Sequence, residues 1–311
     1  MNVGIYLNYI GLGSNLLHLS YCHEIAKKYG PVTVITLCKN LDQAVEDDPN
    51  IEKVVYIEKN NRITDILNIS KKLKKLSLNK IFIFYPSPRL FFAAKLAGIK
   101  DIFNYPLFKK KNLHLVNTAQ KFTCESLNIN FCPTETKFCV NKNKIENAKK
   151  YFNSDQYNIV IGAGSSGPDT RWGEKNYISL INQLNKNGNY FFFIQCGPEQ
   201  NEISKKIVNN VKKQNCMDLS NLNIGETIPF LYLCDMYVGN DSFPHHITSQ
   251  CNKPSIVILL NTPKAYSDYS INHHRVIPDN ANIDNIDHSS KYDVDSIKVE
   301  KVFDKIINIK N

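Results

Sequence analysis

The side chains best suited to chemistry lie in one short stretch, residues 239–254, which reads GNDSFPHHITSQCNKP. An Asp, a Ser and two adjacent histidines stand there between a short apolar run and a proline, so a metal site, a catalytic base and a plain loop all have to be considered. Neighbouring helical residues point about 100° apart, and His245 and His246 are therefore not expected to bind one metal ion together. We interpret Asp241 and Ser242 as lying at the end of a strand and in the first turn of the helix that follows, with Pro244 suited to the first helical position.

Two other loops of the second half also follow strand-like runs. In GAGSSGPDTRWGEK, the hydroxyls of Ser165 and Ser166 and the guanidinium of Arg171 lie shortly before a helix that begins near Glu174. Hydroxyls, backbone N–H groups and a guanidinium near a helix start are the donors that a diphosphate needs, although a capped turn with a surface Arg explains the same residues. In QCGPEQ, Glu199 is placed to bind the two hydroxyls of a ribose or to cap a helix.

A glycine-containing loop follows the first predicted strand, in the run YIGLGSNLLHLSYCHEI. Gly11 and Gly13 allow a tight turn, and Ser14 can cap the helix that follows, which favours an anion or substrate pocket. The third glycine of a dinucleotide fingerprint is missing and no acidic residue ends the second strand, which argues against a nicotinamide or flavin site. His18, one helical turn later, is a candidate base or a packed histidine.

Composition indicates a globular protein of two domains. The chain has 311 residues, of which 42% are hydrophobic and 22% charged, and this length favours two cores over one. The N-terminus does not resemble a signal peptide and no apolar run approaches the roughly 20 residues of a membrane span, so we expect a cytoplasmic protein. Nine cysteines without a C-x-x-C pair predict reduced thiols and no zinc site.

The net charge of +9 predicts an anionic partner, but its sign alone does not choose among nucleic acid, anionic lipid and phosphorylated small molecules. Lysines concentrate in KKLKKLSLNK (residues 71–80) and LFKKKNLHL (residues 107–115). A solvated helix face is the simplest interpretation of both runs. Neither lies beside a helix-turn-helix or an aromatic RNA-binding pattern, so nucleic acid is not the expected partner.

Short β-rich runs alternate with helix-length amphipathic segments, and continuous apolar runs such as VTVITL are typical of parallel strands covered on both faces. The rhythm restarts at Asn158 after a polar segment. We predict two doubly wound α/β domains, residues 1–150 and 151–311, that face each other across a cleft, with a terminal helix at 294–309. Ligands of such sheets bind at the carboxyl ends of the strands. Strands are predicted at residues 2–7, 32–37, 53–58, 80–85, 101–105, 158–164, 190–197, 236–240, 255–260 and 275–279.

The four loops, in this order, resemble those of glycosyltransferase family 9, the heptosyltransferases of lipopolysaccharide core assembly, which have the GT-B fold of two Rossmann-like domains. The family's first loop, Gly-Leu-Gly-Asp before an apolar helix, is similar to GLGSNLL, and a first-domain segment with an Arg is similar to PSPRLFFAAKLAGIKDIFNY. The second-domain loops are similar to GAGSSGPDTRWGEKNYISLI, GPEQNE and NDSFPHHITSQCNKP. The resemblance covers nearly the whole chain.

The resemblance implies an inverting transferase that needs neither a metal nor another cofactor. It would move a sugar, with heptose as one candidate, from a nucleotide-diphosphate sugar to a lipopolysaccharide, a lipooligosaccharide or another cell-surface glycan. The serines and the Arg would lie near the phosphates and the Glu near the ribose, while His246 rather than His245 matches the motif histidine. The donor-binding residues would be Ser165, Ser166, Arg171, Glu199, Asp241, Ser242 and His246.

The first domain would bind the acceptor, an anionic glycolipid or saccharide, at the basic residues Arg89, Lys109, Lys110 and Lys111. Contact with the inner face of the inner membrane would then be peripheral at most.

Three departures from the family's pattern affect the chemistry. The first-loop Asp, the usual candidate for the general base, is Ser14 here, and Ser cannot act as a base at neutral pH without an activating neighbour. The candidate catalytic residues are therefore Ser14, His18 and Asp241. Thr170 replaces a basic residue, and Phe243 replaces the glycine of the last loop. A noncatalytic GT-B protein that binds a nucleotide or glycan, and a Rossmann oxidoreductase, remain as alternatives.

Overall fold

The computed structural model describes residues 1–58, 65–106 and 114–311. The chain forms two compact units, Met1–Cys139 and Val140–Asn311. Each unit contains one parallel β-sheet whose successive strands are connected through helices. The prediction of two Rossmann-like α/β domains is confirmed.

Five strands form the sheet of the first unit, in the order β3-β2-β1-β4-β5. They are β1 (Val3–Leu7), β2 (Val32–Thr36), β3 (Ile51–Tyr56), β4 (Lys80–Ile83) and β5 (Asp101–Asn104). Every residue of β1 and β2 is buried, as their apolar runs predict for central strands. The described helices of this unit are α1 (Leu12–Leu16), α2 (Leu19–Tyr29), α3 (Leu41–Val45), α4 (Asp65–Lys75), α5 (Pro88–Leu96) and α6 (Leu115–Leu127).

Six strands form the sheet of the second unit, in the order β11-β10-β9-β6-β7-β8. They are β6 (Tyr157–Gly162), β7 (Tyr190–Gln195), β8 (Cys216–Asp218), β9 (Met236–Asn240), β10 (Ser255–Ile258) and β11 (His273–Val276). The short strand β8 was not predicted, because three half-buried residues carry no apolar run. The helices are α7 (Lys142–Lys149), α8 (Glu174–Asn187), α9 (Asn201–Asn209), α10 (Ile224–Leu233), α11 (Phe243–Gln250) and α12 (Val299–Lys310).

The two units divide earlier in the chain than the predicted boundary near residue 150. Helix α7 packs against α10, and the rings of Tyr151 and Phe152 lie 5.7 Å and 5.9 Å from the ring of Phe230 between centroids. Residues 140–156, the larger part of the polar segment before Asn158, therefore belong to the second unit. Its helix is held by apolar contacts that its Lys-rich and Asn-rich composition does not reveal.

Buried aromatic and aliphatic residues fix the helices on the second sheet. Ile161, Phe192 and Ile194 have no exposed surface, and burial of such a side chain stabilises the fold by roughly 1.5–3 kcal/mol. Trp172 is also fully buried, and its indole N–H donates a hydrogen bond to the carbonyl oxygen of Ile297 at 2.8 Å. This contact ties the residues just before α8 to the segment that leads into α12, which packs against α8.

The strand order reverses beside β1 in the first sheet and beside β6 in the second, between β1 and β4 and between β6 and β9. The carboxyl ends of strands at such a reversal form the crevice in which doubly wound sheets bind ligands. Gly239 of β9 lies beside Gly162 of β6, and a Cβ added to Gly239 would collide with the carbonyl oxygen of Gly162.

Among the helices in the described ranges, none combines the length and apolar character of a membrane span.

Candidate functional site

A carboxylate and two imidazoles meet immediately after β9. Ser242 precedes α11 as its N-cap residue, and Asp241 lies just before it. The Oδ1 atom of Asp241 lies 2.6 Å from Nε2 of His245 and 3.9 Å from Nε2 of His246. Both histidine side chains are buried, and their ring centroids are 3.8 Å apart.

The expectation that these histidines diverge is wrong, since both rings lie beside Asp241. Each Cα–Cβ bond of an α-helix tilts toward the helix N-terminus. The rings of His245 and His246, in the first turns of α11, can therefore both reach back to Asp241 although their positions differ by about 100° around the helix axis. The direct partner of Asp241 is His245, and the motif histidine His246 stands behind it.

Two residues at or just before the start of β11 contact the Nδ1 atoms of these rings, on the edge that faces away from Asp241. Nδ1 of His245 lies 3.1 Å from Nε2 of His273, and Nδ1 of His246 lies 2.6 Å from the hydroxyl oxygen of Tyr269. The rings of His246 and Tyr269 are also stacked, with an interplanar angle of 9°. Neither residue is predicted from the sequence, since no local pattern connects His273 and Tyr269 to positions 28 and 23 residues earlier.

Burial governs the protonation of this cluster. It raises the pKa of the Asp241 carboxyl, and the neighbouring His246 opposes that rise. It lowers the pKa of His245 to about 3, and holds the pKa of His246 and of His273 well below the usual histidine range. The three imidazoles are thus neutral near pH 7, and each offers one hydrogen-bond donor and one acceptor.

The donor set of Asp241, His245 and His246 is compatible with a transition-metal ion, because one ligand atom from each lies within 4.8 Å of the others. One of the two reasons for expecting no metal, the divergence of the histidines, does not hold, while the implication of the family resemblance is unaffected by this geometry. The 2.6 Å contact between Asp241 and His245 has at the same time the length of a hydrogen bond between an imidazole N–H and a carboxylate, an arrangement that needs no ion.

Hydroxyl groups close the loop after β6 on itself. The buried Oγ of Ser165 lies 2.8 Å from the carbonyl oxygen of Gly167 and 2.7 Å from Oγ1 of Thr170. Thr170, which departs from the family's basic residue, thereby shapes the loop. Ser166 is exposed. Of the two serines predicted near a phosphate, Ser166 has the more accessible side chain. The Ser165 hydroxyl is engaged in hydrogen bonds within the loop.

Arg171 is half-buried at the end of this loop. Its Nη2 donates to the carbonyl oxygen of Ser165 at 3.1 Å, while its Nε is buried without a hydrogen-bond partner in the described ranges. A buried N–H without an acceptor costs free energy. An oxygen atom of a bound anion would satisfy it.

Gln200 connects the loop after β7 to the loop after β6. Its Oε1 accepts from the backbone N–H of Ser165 at 3.1 Å, and its Nε2 donates to the carbonyl oxygen of Ser165 at 2.7 Å. Glu199, in the 3-10 turn Pro198–Gln200, is exposed beside this pair of hydrogen bonds. The sequence pointed to Glu199 but not to Gln200, the residue that fixes where Glu199 stands.

Asn240, the last residue of β9, joins the remaining parts of the site. Its Oδ1 accepts from the Trp172 backbone N–H and from the Tyr177 hydroxyl, both at 2.9 Å, and its Nδ2 donates to the carbonyl oxygen of Ala163 at 2.8 Å. Asn240 has no exposed surface. The loops after β6, β7 and β9 are therefore positioned together through Asn240 and Gln200.

In the first unit, another buried Asn shapes the loop after β1. Asn15 donates from Nδ2 to the carbonyl oxygens of Gly11 at 2.7 Å and Tyr9 at 3.1 Å, and its Oδ1 accepts from Thr36 at 2.6 Å. The prediction that Ser14 caps the following helix is wrong. Helix α1 begins two residues before Ser14 and has Gly11 as its N-cap residue.

His18 has no exposed surface and stacks on Tyr9, with ring centroids 4.7 Å apart. Its Nδ1 lies 2.7 Å from the carbonyl oxygen of Ser14 and must donate to it, so Nε2 carries the lone pair, buried without a hydrogen-bond partner among the described residues. Burial lowers the pKa of His18 to about 4. A weakly basic, enclosed imidazole is poorly suited to take a proton from a substrate, and the structure argues against His18 as the replacement base.

Of the residues predicted to bind the acceptor, Arg89 is exposed in the first turn of α5, after the carboxyl end of β4. Ser87 caps this helix by accepting from the backbone N–H of Leu90. Lys109, Lys110 and Lys111 lie outside the described residues. The lysines of α4 are exposed around the buried Leu73, which is the solvated face that the sequence predicts.

Comparison with known proteins supports the same family. Residues 94–288 match the model described as glycosyltransferase family 9 (heptosyltransferase). A curated relative, lipopolysaccharide heptosyltransferase 1 of Campylobacter coli, is 26% identical over 149 residues, which are 47% of this chain. The matched part spans 44% of that relative, less than half of its length.

Solved structures share the fold along the whole chain at low identity. The family 9 glycosyl transferase of Veillonella parvula has a TM-score of 0.77 at 14% identity, with coverage of 100% of this chain and 97% of the other. The ADP-heptose heptosyltransferase II of Escherichia coli has a TM-score of 0.74 at 14% identity, with coverage of 99% and 98%. Heptosyltransferase WaaC of E. coli with ADP-2-deoxy-2-fluoro heptose has a TM-score of 0.73 at 14% identity, with both chains fully covered. These likenesses show a GT-B-like fold, and since the family model matches more than half of the sequence, this chain belongs to glycosyltransferase family 9.

Proposed function

We propose that this protein is an inverting, metal-independent glycosyltransferase that moves a sugar from a nucleotide-diphosphate sugar to a cell-surface glycan. The observation that carries the proposal is the set of three loops at the carboxyl ends of β6, β7 and β9. Gln200 and Asn240 hold these loops together, and they offer a buried guanidinium N–H without an acceptor, an exposed carboxylate and a carboxylate–imidazole pair.

Each loop has a chemical part in donor binding. Arg171 and Ser166 bind the diphosphate, because a guanidinium and a hydroxyl donate to phosphate oxygens. Glu199 accepts hydrogen bonds from the ribose hydroxyls. Asp241 and Ser242 face the sugar and its phosphate, with His246 behind them. The positive charge of Arg171 stabilises the departing nucleoside diphosphate, which is the role that we assign to protein groups in place of a metal ion.

The reaction joins the acceptor oxygen to the anomeric carbon as the bond from that carbon to the diphosphate breaks. The acceptor hydroxyl must lose its proton to a base. Ser14 is no base by itself and His18 is enclosed, so we assign this task to Asp241, the third candidate. Burial raises the pKa of its carboxyl, which strengthens it as a base.

Names of similar proteins suggest the first substrates to test. The Campylobacter coli relative is a lipopolysaccharide heptosyltransferase, and the structures of WaaC contain ADP or an ADP-heptose analogue. We therefore propose ADP-heptose as donor and a lipopolysaccharide precursor as acceptor, bound by the first unit near Arg89, Lys109, Lys110 and Lys111. We propose a cytoplasmic location with peripheral, salt-sensitive contact at the inner membrane.

Calorimetry and a transfer assay test this function. ADP should bind to the wild type, and Arg171→Ala and Glu199→Ala should each weaken it about tenfold or more, since a hydrogen bond to a charged group contributes roughly 1.5–3 kcal/mol. Lys149→Ala, which removes a surface charge paired with Glu146 on α7, is the control and should bind ADP as the wild type does.

Transfer from ADP-heptose is then followed by mass spectrometry with and without EDTA. Binding without transfer would favour the noncatalytic alternative, to which the replacement of the family's Asp by Ser14 lends some weight. Binding of NAD(P) in place of ADP would favour an oxidoreductase, and loss of transfer in EDTA would contradict metal independence.

A further inference from the structure

Residues 269–273, which end at the first residue of β11, contact α11 at three points. Two are the contacts of Tyr269 with His246 and of His273 with His245. The third is a hydrogen bond from Nδ2 of Asn272 to the carbonyl oxygen of Ser249 at 3.0 Å. Only the first two contacts involve the imidazoles beside Asp241. The hydrogen bond of Asn272 is a mechanical tie, because it anchors the segment to the backbone of α11 without touching either imidazole.

The hydrogen bonds determine which nitrogen of each ring carries the proton. With Asp241 ionised, as its proposed role as a base requires, the carboxylate only accepts, and Nε2 of His245 donates to it. Nδ1 of the same neutral ring must then accept a hydrogen bond, and the donor is the Nε2–H group of His273. Nδ1 of His273 is left with a lone pair. This buried atom has no hydrogen bond of good geometry within the described residues, and the backbone carbonyl groups of Ser267 and His245 also act on the ring.

The same logic applies to His246. If the Tyr269 hydroxyl donates to Nδ1 of His246, the proton of that ring lies on Nε2, which faces Asp241 at 3.9 Å. Two imidazole N–H groups then point to one carboxylate. His245 is bonded to it directly, and His246 remains able to donate to a ligand beside it.

We propose that His273 and Tyr269 are positioning residues of the donor site, which hold His245 and His246 in the Nε2–H form and thereby orient Asp241 toward the sugar. This inference rests on the proposed function for its consequence in transfer. For the tautomers it rests on the contacts together with an ionised Asp241 and neutral imidazoles. A metal ion on Asp241, His245 and His246 would require both Nε2 atoms without protons and would reverse both hydrogen-bond chains.

Two substitutions of His273 separate the effect of its hydrogen bond to His245 from the effect of its side-chain volume. His273→Gln keeps an N–H group that can donate to Nδ1 of His245, whereas His273→Leu cannot donate. Long-range proton–nitrogen NMR of histidine-labelled protein should find the Nε2–H form at His245 in the wild type and in His273→Gln, and its loss in His273→Leu. Tyr269→Phe should change the signals of His246 in the same way.

Transfer kinetics give the second readout. His273→Leu should lower kcat on the order of tenfold to a hundredfold with little change in KM, because a small displacement of a reacting group costs rate more than binding. His273→Gln should recover most of the loss. Asn272→Ala, which removes the mechanical tie and leaves the imidazoles untouched, is the matched control and should keep kcat within about threefold.

Three results would overturn the inference. The first is the Nδ1–H form at His245 in the wild type. The second is stoichiometric binding of added Zn²⁺ with conversion of both histidines to that form. The third is a loss of kcat in Asn272→Ala equal to that in His273→Leu, which would reduce the role of the segment to anchoring. If the wild type transferred no sugar, the proposed function would fail while NMR would still decide the tautomers.

Discussion

The loops after β9 and after β1 follow central strands of their sheets. The buried residues His245 and His18 lie just after these loops, yet the two histidines differ in what they contact. After β9, His245 contacts the carboxylate of Asp241 and continues to a second imidazole. After β1, His18 contacts only a backbone carbonyl through Nδ1, and its Nε2 has no hydrogen-bond partner in the described ranges. His245 is therefore one half of a carboxylate–imidazole pair, whereas no carboxylate of the described residues pairs with His18.

The largest effect is expected from Asp241→Asn. The amide can neither take a proton nor accept from His245 as strongly, so transfer should fall about a thousandfold, within the range of general base catalysis. ADP affinity should change far less, since phosphate binding is assigned to Arg171 and Ser166. Initial rates and calorimetry check both values, and a rate within fivefold of the wild type would remove Asp241 from the chemistry.

The two buried asparagines extend the comparison to stability. Asn240→Ala leaves the Trp172 N–H, the Tyr177 hydroxyl and the Ala163 carbonyl without their partner, and should lower the free energy of unfolding by roughly 3 kcal/mol or more. Asn15→Ala should cost a similar amount in the first unit. Denaturant unfolding measures both.

Nucleotide affinity distinguishes the two asparagines. Asn240→Ala should weaken ADP binding, while Asn15→Ala at a temperature well below its transition should not. Equal losses of ADP affinity in the two variants would mean that the donor site is not confined to the loops of the second unit.

Lowering the pH should decrease the free energy of unfolding, because His18 is buried in its neutral form. Its pKa is lowered from 6.5 to about 4 on folding, so between these values the unfolded chain binds the additional proton. Its contribution to stability is present above pH 6.5 and is lost as the pH falls toward 4. Between pH 7.5 and pH 5 the loss should be about 2 kcal/mol from this residue.

His18→Gln keeps a donor for the Ser14 carbonyl and cannot ionise, so its unfolding free energy should fall less over that pH interval. His288→Gln, at an exposed histidine, is the control and should follow the wild type. An identical pH dependence of wild type and His18→Gln would show that His18 is not enclosed in solution.

The smallest effect is expected from Ser14→Asp, which restores a carboxylate to the first loop. If the first loop still presents position 14 to the acceptor, the rate of transfer should rise severalfold, about 1 kcal/mol in the barrier. Ser14→Asn, similar in size but not basic, is the control and should not raise the rate. A decrease in both variants would indicate that the loop no longer serves proton transfer.

Much of the site could be located from the sequence because apolar strand runs and the loops that follow them are local features. The patterns place four residues in the loops that follow strands, and the structure has them there: Ser166, Arg171, Glu199 and Asp241. The error at the Ser14 cap is of another kind. Gly11 and Gly13 permit more than one helix start, and the side-chain hydrogen bonds of Asn15 select one that begins before Ser14.

The sequence by itself determined the α/β class, the two domains, the strand-end loops and the family, because these depend on residue order and period. The tertiary structure decided which side chains meet. Helix α7 joins the second unit through contacts with α10, and Gln200, Asn240, Tyr269 and His273 enter the site through partners 23 to 77 residues away. Such contacts depend on rotamers and on packing between strands, which no local pattern encodes. For the same reason the two adjacent histidines, divergent by helical position, converge on Asp241.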